Sequence, residues 1–305
     1  FEATILNARI RKSYVNSSTK IISLNDIGDL TYPYQSLNGQ TKTIVDIFEG
    51  KNDISKRILE AKKPLIILGE SFFRLTSADL LFNLIKQFLK KNNKINNEWN
   101  SLNKLTSDAS TVGSLDLRII NDNQEFFKNL ESNCFEIIYL LGQDNLNFTK
   151  KNEFIIYQGS HGDRMAQIAD VILPSPAYTE QNGLFINLEG RLQKSNKSTY
   201  PPGSSKEDWK IFNLILNNLK EDEKFKNFVE LRTDTISKIK NHTDFDLLPK
   251  KTIQDLKFET GSFINEPIYV NEIDYYFSNS IARSSKTMSD CRAARSKKLN
   301  KITGS

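Results

Sequence analysis

The stretch Phe135 to Pro174, FEIIYLLGQDNLNFTKKNEFIIYQGSHGDRMAQIADVILP, holds three short apolar runs separated by polar loops. Phe135 to Leu141, Phe154 to Tyr157 and Val171 to Leu173 are continuous runs, which suits strands of a parallel sheet covered on both faces. The first halts at Gly142-Gln143-Asp144, the second at Gly159-Ser160-His161-Gly162-Asp163 and the third at Pro174. Arg164 to Ala169, between the last two, predicts a short helix. Alternation of apolar strands with amphipathic helices predicts an α/β protein with parallel, doubly wound sheets.

The pattern repeats outward from this stretch. Pro64 to Leu68 (PLIIL) is another apolar run, halting at Gly69, and Lys20 to Ser23 (KIIS) is a shorter one before a loop with Tyr32, Pro33 and Tyr34. Val45 to Ala61 predicts a helix. Thr76 to Asp79 reads as a capping box, opening a helix that buries Leu80, Leu81, Leu84, Ile85, Phe88 and Leu89. Lys90 to Asn103 reads as a surface loop, and Ser175 to Gln193 as a turn-rich stretch. Ser205 with Asp208 is expected to cap a helix that buries Trp209, Phe212, Leu216 and Leu219. Phe1 to Lys12 predicts a helix ending in cations. No strand of its own stands in front of it, so the first βα unit is expected to be incomplete. With soft boundaries near Asn100 to Thr111 and near Glu221, we expect α/β lobes over 1–105 and 106–220, then a helical and extended C-terminal arm over 221–305.

Composition removes several classes of function. At 305 residues, 38% hydrophobic and 26% charged, the chain falls in the globular range rather than the disordered one. It has no run of about 18 apolar residues, so no membrane span is expected. A net charge of +5 with interspersed acids argues against a dedicated nucleic-acid binder. The two cysteines, Cys134 and Cys291, make no C-x-x-C spacing, which excludes a zinc site or a complete Cys-ligated iron–sulfur cluster within this chain. So few cysteines fit a reducing compartment. Cys134, at the head of a strand, reads as a small buried residue. Phe1 is not a methionine and nothing at the start resembles a leader, so the start is expected to be internal to a longer product, or processed. Frequent Lys, Asn and Ile suit an AT-rich genome.

Parallel α/β folds bind ligands at the carboxyl ends of their strands. The candidates for such a site are Gly142, Asp144, Gly159, His161, Gly162 and Asp163, with Gly69-Glu70-Ser71 as a weaker counterpart. They fit a phosphate or pterin cradle; the glycines of the second loop equally fit turn positions that need positive φ. His161 fits an acid–base pair with Asp163 or a histidine bonded to its own turn. Arg283 to Lys298 carries six cations against Asp290. It fits a track for RNA or anionic lipid, or a solvated or protein-docking arm.

Phe154 to Trp209 also carries a long ordered pattern: Ala169-Asp-Val-Ile-Leu-Pro174, then Glu180 and Gly183, then Asn187-Leu-Glu-Gly-Arg-Leu-Gln193. This stretch closely resembles the large iron–sulfur subunit of respiratory complex I, within the broader molybdopterin-oxidoreductase superfamily. The Tyr-Gln-Gly-x-His-Gly-Asp loop and the Pro-Pro-Gly…Glu-Asp-Trp extension resemble the complex I branch in particular. Phe1 to Tyr14 is similar to the helix that follows a Gly-Thr-Asn-Pro-Arg turn in that family, and Asp274 to Cys291 resembles its C-terminal segment.

The resemblance implies a molybdopterin-oxidoreductase-type fold that serves as a non-catalytic, structural part of the peripheral arm in NADH-to-ubiquinone electron transfer. It implies no catalytic, cofactor-binding or metal residues here, leaving the six strand-end residues as vestigial candidates. Iron–sulfur clusters are expected in a partner, the N-terminal half of the same subunit, and other peripheral-arm subunits are the further partners. The location implied is the matrix side of the mitochondrial inner membrane, and the odd start suits a subunit split between two genes. Tyr275 to Lys298 is expected to run across a partner surface. Two other classes stay open: a fragment of an active molybdopterin-dependent oxidoreductase touching its cofactor through Gly142–Asp144 and Gly159–Asp163, and a nucleotide-binding regulatory module.

Overall fold

The computed structural model describes residues 3–119, 123–144, 146–220, 222, 224–239, 244–249, 262–270 and 274–303. The chain divides into two compact units, Phe1–Asp108 with Lys250–Ile273, and Ala109–Pro249 with Asp274–Ser305.

The first unit opens with α1 (Thr4–Ser17), none of whose residues is buried. It continues five residues past Lys12, so the expected cations do not stand in its last turn. Next come β1 (Ile22–Ser23) and β2 (Gln35–Ser36), paired in parallel. The single helix expected over Val45 to Ala61 is two, α2 (Thr41–Phe48) and α3 (Asp53–Glu60). The break falls where the Asn52 side chain accepts the Ile54 N–H at 2.9 Å and starts a new helix. β3 (Ile66–Leu68), α4 (Glu70–Phe73), α5 (Ala78–Lys91) and β4 (Leu102–Lys104) complete the run, with β3 and β4 parallel.

Two expectations fail here for physical reasons. β4 lies partly inside the stretch read as a surface loop: its Leu-Asn-Lys has no apolar run, yet Ser101 and Leu102 are buried. The capping box does not form either. The Thr76 N–H donates at 2.7 Å to Glu266, and the Ser77 hydroxyl accepts the Ile264 N–H at 2.9 Å. A remote acceptor thus takes the Thr76 N–H, and a remote donor occupies the Ser77 hydroxyl. Around α2 and α5, the fully buried Ile44, Leu81, Ile85 and Leu89 anchor the core of this unit.

The second unit contains α6 (Thr111–Asp116), α7 (Asn123–Glu131), β5 (Ile137–Leu141), β6 (Phe154–Gly159), α8 (Arg164–Ile168) and β7 (Val171–Pro174). β5, β6 and β7 form a parallel sheet in that order, as the three apolar runs predict. Ile138, Leu140, Ile155 and Tyr157 pack with Met165 of α8 in its core. The opposite face is less covered than the runs imply, since Ile137, Leu141 and Phe154 are exposed. The turn-rich stretch contains an antiparallel hairpin, β8 (Gly183–Ile186) and β9 (Leu192–Ser195).

α9 (Asp208–Asn218), α10 (Phe228–Lys238), a 3-10 helix (Tyr275–Phe277), α11 (Ser280–Ser284) and α12 (Lys286–Thr303) follow. α9 turns Ile211 and Asn213 inward, while Phe212 and Leu219 are exposed, contrary to the expected face. Ser205 is not its cap: its buried hydroxyl has no hydrogen-bond partner among the described residues. Cys134 is exposed rather than buried, 3.2 Å from the Ser132 hydroxyl. Among the described residues no helix is long and apolar enough to cross a membrane. The outcome is a mixture of helices and mostly parallel sheets.

Candidate functional site

The ends of β5 and β6 bring the six strand-end candidates into one neighbourhood, and each loop is built by local packing. Gly142 takes φ +62°, in the left-handed region where a side chain is strained. Gly159 and Gly162 do not take positive φ, contrary to the turn reading of their loop. Gly159 is needed for another reason: a Cβ there would stand 2.5 Å from the Tyr157 hydroxyl oxygen and 2.7 Å from its Cζ. Tyr157 is buried, and its hydroxyl donates to the His161 carbonyl at 2.9 Å, closing the loop on itself. Burial, with Asp144 and Asp163 adding, pushes the Tyr157 phenol up to about 12.

His161 faces its own turn, with Nδ1 3.0 Å from the Ser160 hydroxyl. The other histidine, His242, lies outside the described residues.

Asp144 and Asp163 are joined by a residue the sequence did not single out for this place. Arg283 of α11 donates through Nε to Asp163 and through Nη2 to Asp144 at 3.3 Å, while Nη1 donates to the Phe277 carbonyl at 3.3 Å. Asp144 is buried and also accepts the Met165 N–H at 3.3 Å. Burial raises its pKa, opposed by the Met165 and Arg283 hydrogen bonds. The nearest sequence signal for Arg283 is its place in the basic segment, which does not say which acids it meets.

An anionic cofactor does not fit this crevice as it stands. The diphosphate of a pterin dinucleotide would meet two carboxylates and would have to displace the guanidinium that neutralises them, a like-charge arrangement of the kind that disfavours ionisation in proteins. Among the described residues no three or more of His, Cys, Asp and Glu are grouped so as to hold a metal ion.

The long motif has structural work of its own. The Asp170 carboxylate accepts the Ile155 N–H at 2.8 Å and the Lys150 ammonium at 2.6 Å, which fastens the start of β7 to β6. Those bonds, the backbone one first, hold its pKa below the usual value. Glu180 accepts the Ala177 N–H at 2.9 Å. The Asn187 side chain accepts the N–H groups of Glu189 and Arg191 at 3.0 and 2.9 Å, folding the turn between β8 and β9, where Gly190 takes φ +82°. Beside the sheet, Asp208 does not cap α9 but accepts the amides of Gln158 and Gln181 at 2.6 and 3.0 Å. Elsewhere in this unit a cavity of about 120 Å3 lies among Leu117, Leu184, Ile186 and Ile239, with the hydroxyl residues Ser110, Ser114 and Thr235 also in its lining and no charged group.

A parallel α/β core carrying this motif and hairpin defines a class, and comparison with known proteins identifies it. A family model described as molybdopterin oxidoreductase matches residues 1–218, so the chain belongs to that family. A second model, described as the C-terminal part of an NADH-ubiquinone oxidoreductase subunit, matches residues 246–291. The chain is 35% identical over 299 residues to the NADH-ubiquinone oxidoreductase 75 kDa subunit of Reclinomonas americana, covering 95% of this chain and 42% of that protein. It is 34% identical to the mitochondrial NADH-ubiquinone oxidoreductase 78 kDa subunit of Candida albicans, covering 99% of this chain and 42% of that protein. It is also 32% identical to the mitochondrial 78 kDa subunit of Neurospora crassa, covering 96% of this chain and 40% of that protein. The chain therefore spans about two fifths of the length of these relatives.

Proposed function

We propose that this chain is a structural, non-catalytic part of the peripheral arm of respiratory complex I, supporting the cluster-bearing part of the large iron–sulfur subunit during NADH-to-ubiquinone electron transfer. The observation that carries this reading is the succession of two matches along one chain, the molybdopterin oxidoreductase domain over 1–218 and the NADH-ubiquinone oxidoreductase C-terminal segment over 246–291. Two features of the site support a role without chemistry: its acids pair with the chain's own Arg283, and Gly142 and Gly159 serve turn and packing. We assign the iron–sulfur clusters to the partner N-terminal part, and count that part and the other peripheral-arm subunits as its partners. The location we assign is the matrix side of the inner mitochondrial membrane.

A doubly wound arrangement of the β5–β7 sheet belongs to the same reading. In its support, Met165 of α8 packs with Ile138 and Leu140, whereas Phe212 of α9 stacks at 5.5 Å on Tyr139, whose side chain points to the other face.

The test is native electrophoresis of solubilised inner membranes, followed by mass spectrometry and metal analysis of the band with NADH dehydrogenase activity. The chain is expected there in constant ratio to a cluster-bearing partner, with iron but no stoichiometric molybdenum or tungsten. A chain that migrates apart from that activity, or that carries a stoichiometric pterin and molybdenum, overturns the assignment.

A further inference from the structure

The place where an α/β fold meets a phosphate is here an acid pair around a guanidinium. Asp144 leaves β5 and Asp163 precedes α8; their side chains are 2% and 31% exposed, and that of Arg283 is 19% exposed. All three nitrogens of the fork find acceptors, two carboxylates and the Phe277 carbonyl. Planar, multiply bonded recognition of this kind suits arginine and not lysine, whose ammonium is a point charge.

The segment that delivers Arg283 is braced before it reaches the crevice. The Asn279 side chain accepts the Ala282 N–H at 2.9 Å and caps α11. Arg292 of α12 pairs with Asp274 at 2.5 Å and lies 4.6 Å over the Phe277 ring. The 3-10 helix and the first half of α12 are thus tied to each other, and Arg283 fixes this small module to the strand ends.

We propose that the crevice at the ends of β5 and β6 is a guanidinium-binding site, with Asp144 and Asp163 as its ligands, that latches the C-terminal segment 274–292 onto the sheet through Arg283. The ligand class is inverted relative to an anion cradle. The latch sets the direction in which α12 leaves the unit. It is independent of the complex I assignment, because it concerns contacts within the chain alone.

Hydrogen exchange on the full chain in its native assembly tests the latch. Arg283→Gly is expected to raise exchange of the amides in 275–284 by about tenfold or more, the scale set by a charged hydrogen-bond network. Asp163→Asn is expected to do the same, and the double variant to add little beyond either change alone. Guanidinium chloride at about 20 mM is expected to restore protection of the strand-end loops in Arg283→Gly, whereas sodium chloride at equal ionic strength is not. That rescue separates loss of the guanidinium from a general loss of stability in the variant.

Unchanged exchange at 275–284 in both single variants overturns the latch. So does rescue by sodium as effective as by guanidinium, or protection of the loops by pyrophosphate in the unaltered chain with release of 275–284.

Discussion

Gly159→Ala is expected to destabilise the second unit, because neither side of the contact it creates can yield. The added Cβ would stand 2.5, 2.7 and 2.9 Å from the Tyr157 hydroxyl oxygen, Cζ and Cε1. Carbon contacts are comfortable only at about 3.5–4.0 Å, so the overlap is roughly 1 Å. Tyr157 is 2% exposed and held by its bond to the His161 carbonyl, while the Gly159 carbonyl accepts the Ser175 N–H at 3.2 Å. Overpacking of this kind costs about 1–3 kcal/mol. A loss of about 2 kcal/mol lowers a urea midpoint by about 1 M when the slope is about 2 kcal/mol per M.

The chain has two tryptophans, Trp99 in the first unit and Trp209 in the second, so Trp209 fluorescence in a Trp99→Phe background follows the second unit. Tyr157→Phe removes the nearest atom and its hydrogen bond, so the double variant is expected to lose about 0.5 kcal/mol or more less than the sum of the single changes. Gly142→Ala is the control. With open space around it and φ +62°, it is expected to lose only the roughly 1 kcal/mol of left-handed strain. A Gly159→Ala midpoint equal to the parent's within about 0.3 kcal/mol would refute the packing account and return the glycine to a ligand role.

Leu81→Ala empties a fully buried site in the first unit and is expected to cost about 2–5 kcal/mol, read as a shift of the Trp99 transition with the Trp209 transition in place. The carboxyl of Asp170 is held below its usual range, so it stabilises the fold above its unfolded value near 4. That contribution is lost as the pH falls through the depressed folded value; Asp170→Asn is expected to flatten the acid limb of the unfolding midpoint, and an unchanged limb counts against the β6–β7 tether. Tyr157 titrates in the opposite direction. Its phenol is raised to about 12, so its contribution is complete below about 10 and lost as the pH rises through about 12. Ultraviolet titration of Tyr157→Phe should remove one late-ionising tyrosine.

The sequence made the sheet legible where its strands are apolar runs. Phe135 to Leu141, Phe154 to Tyr157 and Val171 to Leu173 are apolar runs that advertise strands, and they fall on β5, β6 and β7, although Val171 and Ile172 of β7 are exposed. β4 was hidden because Leu102-Asn-Lys is a strand by partner alone: the β3 ladder orders it, and local composition does not. The hairpin was hidden for a similar reason, its glycines reading as punctuation when Asn187 and Gly190 fold a single turn. Helix starts failed where long-range partners won: Glu266 accepts the Thr76 N–H, and the Gln158 and Gln181 amides donate to the Asp208 carboxylate. The acid pair of the site was legible as Asp144 and Asp163. Arg283, some 120 residues beyond Asp163, was not, because a basic run does not reveal which of its charges turns inward.

The motif that identifies the family is therefore separable from the family's chemistry. Asp170 ties β7 to β6, Glu180 closes a turn on the Ala177 amide, and Asn187 with Gly190 folds a hairpin; each role is complete within the chain and needs no ligand. A chain with these residues gains the sheet and the hairpin whether or not anything is bound at the strand ends. The chemistry would rest instead on what faces the crevice, and there the charge has the wrong sign for an anion. Two carboxylates brought together at a strand end need a cation, and the one that pairs with both is Arg283. The residues of the long motif and the residues that face the crevice are thus different sets, the first tying the sheet and hairpin and the second pairing with Arg283.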